Sequence, residues 1–189
     1  MKIIVVDGHR KVFHLLRQLT KKRHKIVVIN KDIDFCKKLS REYPHSIVVH
    51  GDATNVDLLN DAQIEQFDLS IHLSWDDKEN LISALTLKEH YRVKRTVSLV
   101  NEQQNIDVFK SLGVDATIDT AKALATIVEQ QAFVENLRSY APLENENLVI
   151  LNLEISNESD AAGKKIVHLS LPDEAIVSAI FRDNKPLIP

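Results

Sequence analysis

Short β-branched runs alternate with helix-like spacings of apolar residues along the first 118 positions. The runs predict strands at Lys2–Val6, Lys25–Ile29, Ser46–Val49, Asp68–Leu73, Arg95–Val100 and Ala116–Ile118. Apolar residues every three or four positions predict helices at Arg10–Lys22, Asp32–Glu42, Val56–Ala62, Asp76–His90 and Ile106–Leu112. Apolar strands alternating with helices are typical of a parallel sheet covered on both faces. We therefore predict an α/β domain with a doubly wound, Rossmann-like sheet, whose ligand crevice lies beyond the carboxyl ends of the strands.

A long crossover helix is predicted to follow the sheet, from Thr120 to Ser139, with Thr120 as its N-cap. Its apolar residues lie on two sides. One stripe comprises Leu124, Ile127, Val128 and Val134, and a second side carries Phe133 and Leu137. The two sides contact either the domain's own sheet and the C-terminal tail, or the same helix of a second copy. The second alternative is favoured, because a helix at the edge of a domain has few internal neighbours, and it predicts a homodimer or a higher ring.

The pattern changes after a short acidic linker at Pro142–Asn147. Apolar residues then alternate with period two from Val149 to Ile155, and a loop surrounds Gly163. A strand at Ala175–Phe181, a turn at Asp183-Asn184 and the start of a strand at Leu187-Ile188 are predicted to follow. About 45 residues are too few for an independent core. We therefore expect a Rossmann-like domain over residues 1–141, including the crossover helix, and part of a small α+β module over residues 142–189.

Composition excludes several classes of protein. The chain has 189 residues, a net charge of −3 and one cysteine, Cys36, which excludes an internal disulfide framework and a multi-cysteine zinc site. No apolar run approaches the roughly 20 residues that span a bilayer, and the N-terminus lacks the features of a signal peptide. Mild acidity argues against nucleic-acid binding, and the eight histidines have no metal-binding spacing. These features predict a soluble cytoplasmic protein.

One segment is strongly basic although the chain as a whole has a negative net charge. Between Arg10 and Lys25 the chain holds seven lysines and arginines and no acidic residue. The last of these cations suit the C-terminal end of a helix, so the segment is interpreted as a solvated face. Contact with an acidic partner is the alternative.

The first strand–helix turn lacks the glycines of a dinucleotide-binding turn. That turn needs glycine at three positions, for the bend, for the approach of pyrophosphate and for helix–strand packing. Here those positions hold Asp7, His9 and Val12, and the single glycine, Gly8, lies between them. The second strand ends at Asn30, where an acid usually binds the ribose hydroxyls. Because side chains and a carboxylate occupy the phosphate turn, the sequence predicts that NAD is not bound tightly in the usual manner.

Several segments of the chain match the motifs of one known family. The most specific segment is Val48-Val49-His50-Gly51-Asp52-Ala53-Thr54. The others are the opening Met1–Val6, Val27–Asp32, Ser74–Asp77, Asn80–Ile82, Phe109–Ala116, Gly163-Lys164, Leu171-Pro172 and Ile180–Asp183. Together these segments resemble the Trk/Ktr-type RCK (regulator of potassium conductance) proteins of bacterial potassium uptake systems. The resemblance covers essentially the whole chain, and its C-terminal part matches the opening half of the family's ligand-binding domain.

The resemblance implies a nucleotide site in the crevice. It places Gly8, His9, Arg10 and Lys11 in the phosphate turn, Asn30 and Lys31 beside the ribose, Asp52 and Ala53 near the adenine, and Ser74, Asp76 and Asn80 at the crevice mouth. The ligands it implies are NAD(H) or ATP/ADP, with cyclic di-AMP as an alternative in the C-terminal part. It implies no catalytic residue and no metal site.

Three of these positions also have purely structural interpretations. Asp52 suits the N-cap of the helix at Val56–Ala62. Ser74 with Asp77 resembles a capping box at the start of the next helix. Trp75 could stack on a base, lie in a subunit contact, or be an exposed ring.

The sequence is compatible with three functions. The resemblance implies a cytoplasmic regulatory subunit at the inner face of the membrane, which gates a membrane potassium transporter through the conformation of a ring. A ligand-free assembly scaffold is the first alternative, because a protein that has lost nucleotide binding is expected to lack the glycines of the phosphate turn. An NAD-dependent oxidoreductase is the second, but the Tyr-x-x-x-Lys arrangement of short-chain dehydrogenases is absent. The protein is therefore expected not to be an enzyme.

Overall fold

The computed structural model describes residues 1–61, 66–133, 137–142, 149–182 and 185–187. The chain divides into two compact units, unit 1 (Met1–Thr126) and unit 2 (Ile127–Pro189). Across the described ranges, none of the helices has both the length and the apolar character needed to cross a bilayer.

Unit 1 contains the predicted doubly wound sheet. Its strands within the described residues are β1 (Lys2–Val6), β2 (Lys25–Asn30), β3 (Ile47–His50), β4 (Leu69–His72), β5 (Thr96–Val100) and β6 (Ala116–Asp119). All pair in parallel, in the order β3-β2-β1-β4-β5-β6. The chain thus reverses its direction of winding between β1 and β4, and a crevice opens at such a point in doubly wound sheets. The predicted fold class is confirmed.

Helices cover both faces of this sheet. They are α1 (Arg10–Leu19), α2 (Ile33–Glu42), α3 (Val56–Asp61), α4 (Asp77–Glu89), α5 (Ile106–Ser111) and α6 (Thr120–Phe133), with short 3-10 turns at Thr20–Lys22 and Gln103–Asn105. Side chains of β1 alternate between two cores. Ile4 packs in a cluster with Leu59 of α3, whereas Val5 packs with Leu16 of α1 and Leu39 of α2. Burial on both faces explains why the central strands β1 and β2 are apolar almost throughout rather than alternating.

Polar side chains mark most of the helix starts. Asp32 caps α2, Asp76 caps α4, and Asn55 accepts from the first backbone N–H groups of α3. The predicted cap of α6 is wrong. Asp119, not Thr120, accepts from the backbone N–H of Lys122 at 2.8 Å, and the Thr120 hydroxyl instead lies 3.4 Å from the carbonyl oxygen of Val100.

The crossover helix ends earlier than predicted. α6 is described as far as Phe133, and Leu137–Pro142 forms a strand, β7, where the spacing predicts a helix as far as Ser139. β7 pairs antiparallel with β8 (Val149–Leu153), with Leu137 opposite Leu153. The backbone hydrogen bonds of this hairpin replace those of a helix, so tertiary pairing overrides the helical spacing of the apolar residues. Phe133 and Leu137 therefore do not share a helix.

Unit 2 is assembled from hairpins. β8 confirms the strand predicted from Val149, and β9 (Ile180–Arg182) pairs antiparallel with β10 (Lys185–Leu187). The strand predicted at Ala175–Phe181 is wrong over 175–179, which have no regular structure; Ile176 there is 90% exposed and lacks a pairing strand among the described residues. Most of the predicted linker, the turn at 183–184 and Ile188 lie outside the described residues.

Candidate functional site

A cavity of about 340 Å³ opens at the carboxyl ends of β1, β2 and β4. Six of the residues predicted for the site line it, namely Gly8, His9, Asn30, Lys31, Ser74 and Asp76. Four further residues line it: Asp7, which the sequence places in the phosphate turn, Trp75, for which stacking on a base is one interpretation, and Asp32 and Glu79, which the sequence did not assign to the site. The predicted location of the crevice is therefore supported by the geometry, and its lining holds more carboxylates than the predicted set.

Five predicted residues do not line this cavity. Arg10 is exposed on α1, and Lys11 donates to the carbonyl oxygen of Leu73 at 3.3 Å. Ala53 and Asn80 are buried, and Asp52 is engaged in an ion pair. Lys11, Asp52, Ala53 and Asn80 each contact residues that are distant in sequence, and spacing along the chain does not show such contacts.

The turn after β1 keeps the backbone of a glycine-rich turn without its glycines. Asp7, Gly8 and His9 have φ angles of 55°, 98° and 41° in succession. His9 also has a ψ of −122°, a combination that residues with a Cβ rarely adopt. Such strain costs of order 1–3 kcal/mol and is retained only where the surroundings enforce it. The His9 ring lies edge-on to Phe35, with 5.5 Å between centroids.

Lys31 bridges two carboxylates beside the cavity. Its Nζ lies 2.6 Å from Oε1 of Glu79 and 3.1 Å from Oδ2 of Asp52, so it joins the end of β2 to α4 and to the loop after β3. Burial acts to lower the pKa of Lys31, but its hydrogen bonds to Glu79 and Asp52 outweigh that effect and raise the pKa. Ser74 also donates to Oε2 of Glu79 at 2.8 Å. Lys31, which the resemblance predicts to lie beside a ribose, is therefore already paired with two carboxylates.

Asp7 places a carboxyl group in the phosphate turn itself. Burial raises its pKa, the negative charges of Glu79 and Asp52 raise it further, and Lys31 opposes the change. A carboxyl group in this position repels a phosphate when it is ionised. The turn is thus unfavourable to an anion in its electrostatics as well as in its side-chain volume.

The side-chain amide of Asn30 is buried, and only its oxygen has a hydrogen-bond partner among the described residues. Its Oδ1 accepts from the backbone N–H of Asp32 at 2.9 Å, which identifies the other amide atom as the nitrogen. That Nδ2 is buried and has no hydrogen-bond partner among the described residues. A buried donor without an acceptor costs about 1–3 kcal/mol. An acceptor atom on a bound molecule would remove this cost.

The structural interpretations of Asp52 and Ser74 need correction. Asp52 does not cap α3; it accepts from the backbone N–H and the hydroxyl of Thr54 and pairs with Lys31. Ser74 and Asp77 do not form a capping box, because the carboxylate of Asp77 accepts from the backbone N–H groups of Asn101 and Glu102, in the loop after β5.

Asn80 is a buried structural residue that joins the segment after β4 to β5. Its Oδ1 accepts from the Ser74 N–H at 2.8 Å, and its Nδ2 donates to the carbonyl oxygens of Ser74 (2.9 Å) and Leu99 (3.1 Å). We expect Asn80→Ala to lower the free energy of unfolding by about 2–4 kcal/mol, since three buried backbone groups lose their partner. Urea denaturation followed by Trp75 fluorescence measures this. A loss below 1 kcal/mol, about that of an ordinary surface substitution, would contradict it.

The predicted phosphate turn carries side chains where a dinucleotide-binding turn has glycines. Asp7 holds the position of the bend, His9 that of the approach of pyrophosphate, and Val12, which is buried in the core, that of helix–strand packing. Asn30 ends β2 with a buried donor that lacks an acceptor among the described residues. Within the described ranges, no group of three or more His, Cys, Asp or Glu side chains is placed to hold a metal ion.

The chain is similar in sequence to TrkA proteins and to the TrkA-N domain. Residues 3–120 match the model of the TrkA-N domain. The Trk system potassium uptake protein TrkA of Mycobacterium tuberculosis is 25% identical over 190 residues, which cover 100% of this chain and 86% of that protein. A TrkA homolog of Methanothermobacter thermautotrophicus is 24% identical over 189 residues, with the same coverage of both chains.

Solved structures share the fold of the sheet domain. The TrkA-N domain of the inner membrane protein ybaL from Escherichia coli has a TM-score of 0.63 and 15% identity, and covers 69% of this chain and 96% of its own. The GsuK channel bound to NAD has a TM-score of 0.63 and 18% identity, with 75% of this chain and 25% of that chain covered. With the match over residues 3–120, the chain belongs to the TrkA-N domain family.

Proposed function

We propose that this protein is the regulatory subunit of a potassium uptake system, and not an enzyme. The observation that carries the proposal is the similarity to TrkA proteins of such systems, which spans this whole chain and 86% of those relatives. The similarity thus extends beyond the TrkA-N domain into unit 2. We place the chain at the inner face of the membrane, beside the membrane-embedded transporter subunit, with a Rossmann-like domain over residues 1–141 and part of an RCK C-terminal domain over residues 142–189.

The regulatory step is a change in the shape of an assembly of copies. Leu124, Ile127 and Val128 of α6 are each more than half exposed. Neighbouring apolar side chains on one helix are typical of a surface that a partner covers, and a second copy of the same helix offers the same apolar surface in return. A ligand that binds two shapes of this ring with different affinity changes their populations, and the transporter responds to the shape.

The pairing of α6 is tested by replacing its exposed apolar residues. We expect Leu124→Asp combined with Ile127→Asp to convert the dimer or ring into monomers, because like charges would face each other across an apolar contact. Light scattering during size-exclusion chromatography measures the mass. Lys110→Asp on the exposed face of α5 is the matched control and is expected to leave the mass unchanged. A wild-type monomer, or a double variant that still assembles, contradicts the pairing.

The regulatory role is tested by ion uptake. Cells that carry the membrane subunit with and without this chain are compared in rubidium uptake, a tracer for potassium. We expect uptake to change several-fold when the chain is removed and to return when it is supplied again. The α6 double variant is expected to fail to restore uptake, whereas Lys110→Asp restores it. Equal uptake with and without the chain contradicts the proposal.

One observation favours a ligand-free scaffold as the second candidate. The Lys31–Glu79 and Lys31–Asp52 pairs already join the elements around the crevice, which is a role that a bound ligand could have. Calorimetric titration with NADH, ATP, ADP and cyclic di-AMP separates the candidates, since a scaffold gives no binding heat. Turnover of NAD(H), by contrast, would establish an oxidoreductase.

A further inference from the structure

We propose that the crevice of unit 1 selects an uncharged nucleoside and rejects its phosphorylated forms. The inference rests on the proposed function in one respect, that a ligand in this crevice controls the assembly. Three separate features of the lining support it: an unpartnered buried donor, an excess of carboxylates, and a small cavity with one exposed aromatic ring.

The donor is Nδ2 of Asn30. Asn30 is 1% exposed and lines the cavity; its amide nitrogen is itself buried and has no acceptor among the described residues, so a ligand reaches it once the side chain turns toward the cavity. A hydroxyl group accepts such a hydrogen bond and at the same time donates one of its own. Asp7 lines the same cavity and supplies a carboxyl oxygen as acceptor. Neighbouring hydroxyls, as on a ribose, satisfy both groups.

The charge of the lining opposes a phosphate. Asp7, Asp32, Asp76 and Glu79 all line the cavity. The lysine of the same lining, Lys31, is paired with Glu79 and Asp52, and the nearby ammonium of Lys11 lies over the Trp75 ring and donates to the carbonyl oxygen of Leu73. A phosphate must therefore draw one of these ammonium groups away from its partners or remain near carboxylates without a counter-ion. An uncharged ligand avoids both costs.

Size and stacking favour a single nucleoside. A volume of about 340 Å³ is at the low end of small-molecule sites, too small for a dinucleotide to be well enclosed. Trp75 lines the cavity and is 68% exposed, and Nζ of Lys11 lies 3.5 Å from its ring centroid. The cation holds the indole ring in place, and the ring offers an aromatic face on which a base can stack.

The test compares four probes that differ by their phosphates. The full chain is titrated with adenosine, AMP, ADP and NAD⁺, by calorimetry and by the fluorescence of Trp75, its single tryptophan. We expect adenosine to bind most tightly, and AMP and ADP to be weaker by about tenfold or more, which corresponds to about 1.4 kcal/mol. Adenosine that lacks the 2′- or the 3′-hydroxyl is expected to bind about tenfold more weakly than adenosine, because Asn30 then loses its acceptor.

A charge-neutral variant isolates the role of Asp7. Asp7→Asn has the same shape without the negative charge, and it is expected to reduce the preference for adenosine over ADP by about tenfold. The control Asp107→Asn removes a carboxylate from the exposed first turn of α5 and leaves that ratio unchanged. If Asp7→Asn fails to fold, the wild-type protein is titrated at increasing concentrations of potassium chloride. Salt screens the repulsion between Asp7 and a phosphate, so the preference for adenosine over ADP is expected to become smaller.

The outcomes separate this inference from the proposed function. Tighter binding of ADP or NAD⁺ than of adenosine overturns the inference and supports a nucleotide-regulated subunit. Absence of binding by all four probes also overturns the inference and favours the scaffold, while the uptake experiment still decides the role in potassium transport. A preference for adenosine that Asp7→Asn leaves unaltered shows that the charge of this group does not cause the selection, and overturns the mechanism.

Discussion

Replacing Gly8 by alanine is expected to lower the free energy of unfolding by about 3–5 kcal/mol. Gly8 has a φ of +98°, which L-residues rarely adopt, and a Cβ there would lie 2.6 Å from Cβ of Leu73 and 3.2 Å from Cγ2 of Val12. Leu73 cannot move easily, because its N–H donates to the carbonyl oxygen of Val6 at 2.9 Å. Backbone strain of about 1–3 kcal/mol adds to overpacking of similar size.

A second glycine provides the control for this substitution. Gly113 has nearly the same φ, +97°, but a Cβ there meets no atom within 4 Å. Gly113→Ala is therefore expected to cost only the strain, about 1–2 kcal/mol. Urea denaturation followed by Trp75 fluorescence measures both variants. Equal losses at the two positions would show that the close approach of helix and strand at Gly8 contributes nothing.

Acidification from pH 7.5 to 5.5 is expected to lower the stability of unit 1 by about 1.4 kcal/mol through one histidine, His72. This side chain is buried within β4, and burial lowers its pKa from 6.5 to about 3. The hydroxyl of Ser83 donates to the carbonyl oxygen of Glu79, so it accepts from Nδ1–H of His72, and Nε2 then accepts from the hydroxyl of Ser70. The ring is therefore held in its neutral form.

The direction of this pH effect follows from proton binding. Below pH 6.5 the unfolded chain binds a proton on His72 and the folded chain does not. The contribution of His72 to the free energy of unfolding is therefore fully present above pH 6.5, and it falls by about 1.4 kcal/mol per pH unit towards pH 3. Asp7 acts in the opposite sense, because its pKa is raised in the folded state. Measurements between pH 5 and 7.5 avoid the titration of the carboxylates whose pKa is lowered, namely Asp32, Asp52, Asp68, Asp77 and Asp115.

Substitution of His72 tests the assignment. His72→Gln is expected to remove most of the slope between pH 7.5 and 5.5, whatever its effect on stability at neutral pH. His45→Gln, at an exposed position before β3, is expected to retain the slope. Unfolding free energies from urea denaturation at several pH values give both slopes. A His72→Gln protein with the wild-type slope contradicts the assignment.

The secondary structure of unit 1 could be predicted closely because it depends on local patterns. Short runs rich in β-branched residues identified β1 to β6, and polar side chains such as Asp32 marked where helices begin. The pattern failed at Leu137, whose apolar spacing continued that of α6. The hydrogen bonds that make it part of β7 come from residues of β8. Pairing of this kind depends on contacts that periodicity does not report.

The sequence by itself determined the layered α/β architecture, the place of the crevice and the loss of the phosphate-turn glycines at Asp7 and His9. Each follows from residue type and from order along the chain. Only the tertiary structure decided which side chains meet in the crevice. Lys31 and Glu79 are 48 positions apart, and the unpartnered amide of Asn30 becomes visible only when its surroundings are known. The physical reason is that charge pairing and hydrogen-bond satisfaction depend on distances in space, which the folded chain alone defines.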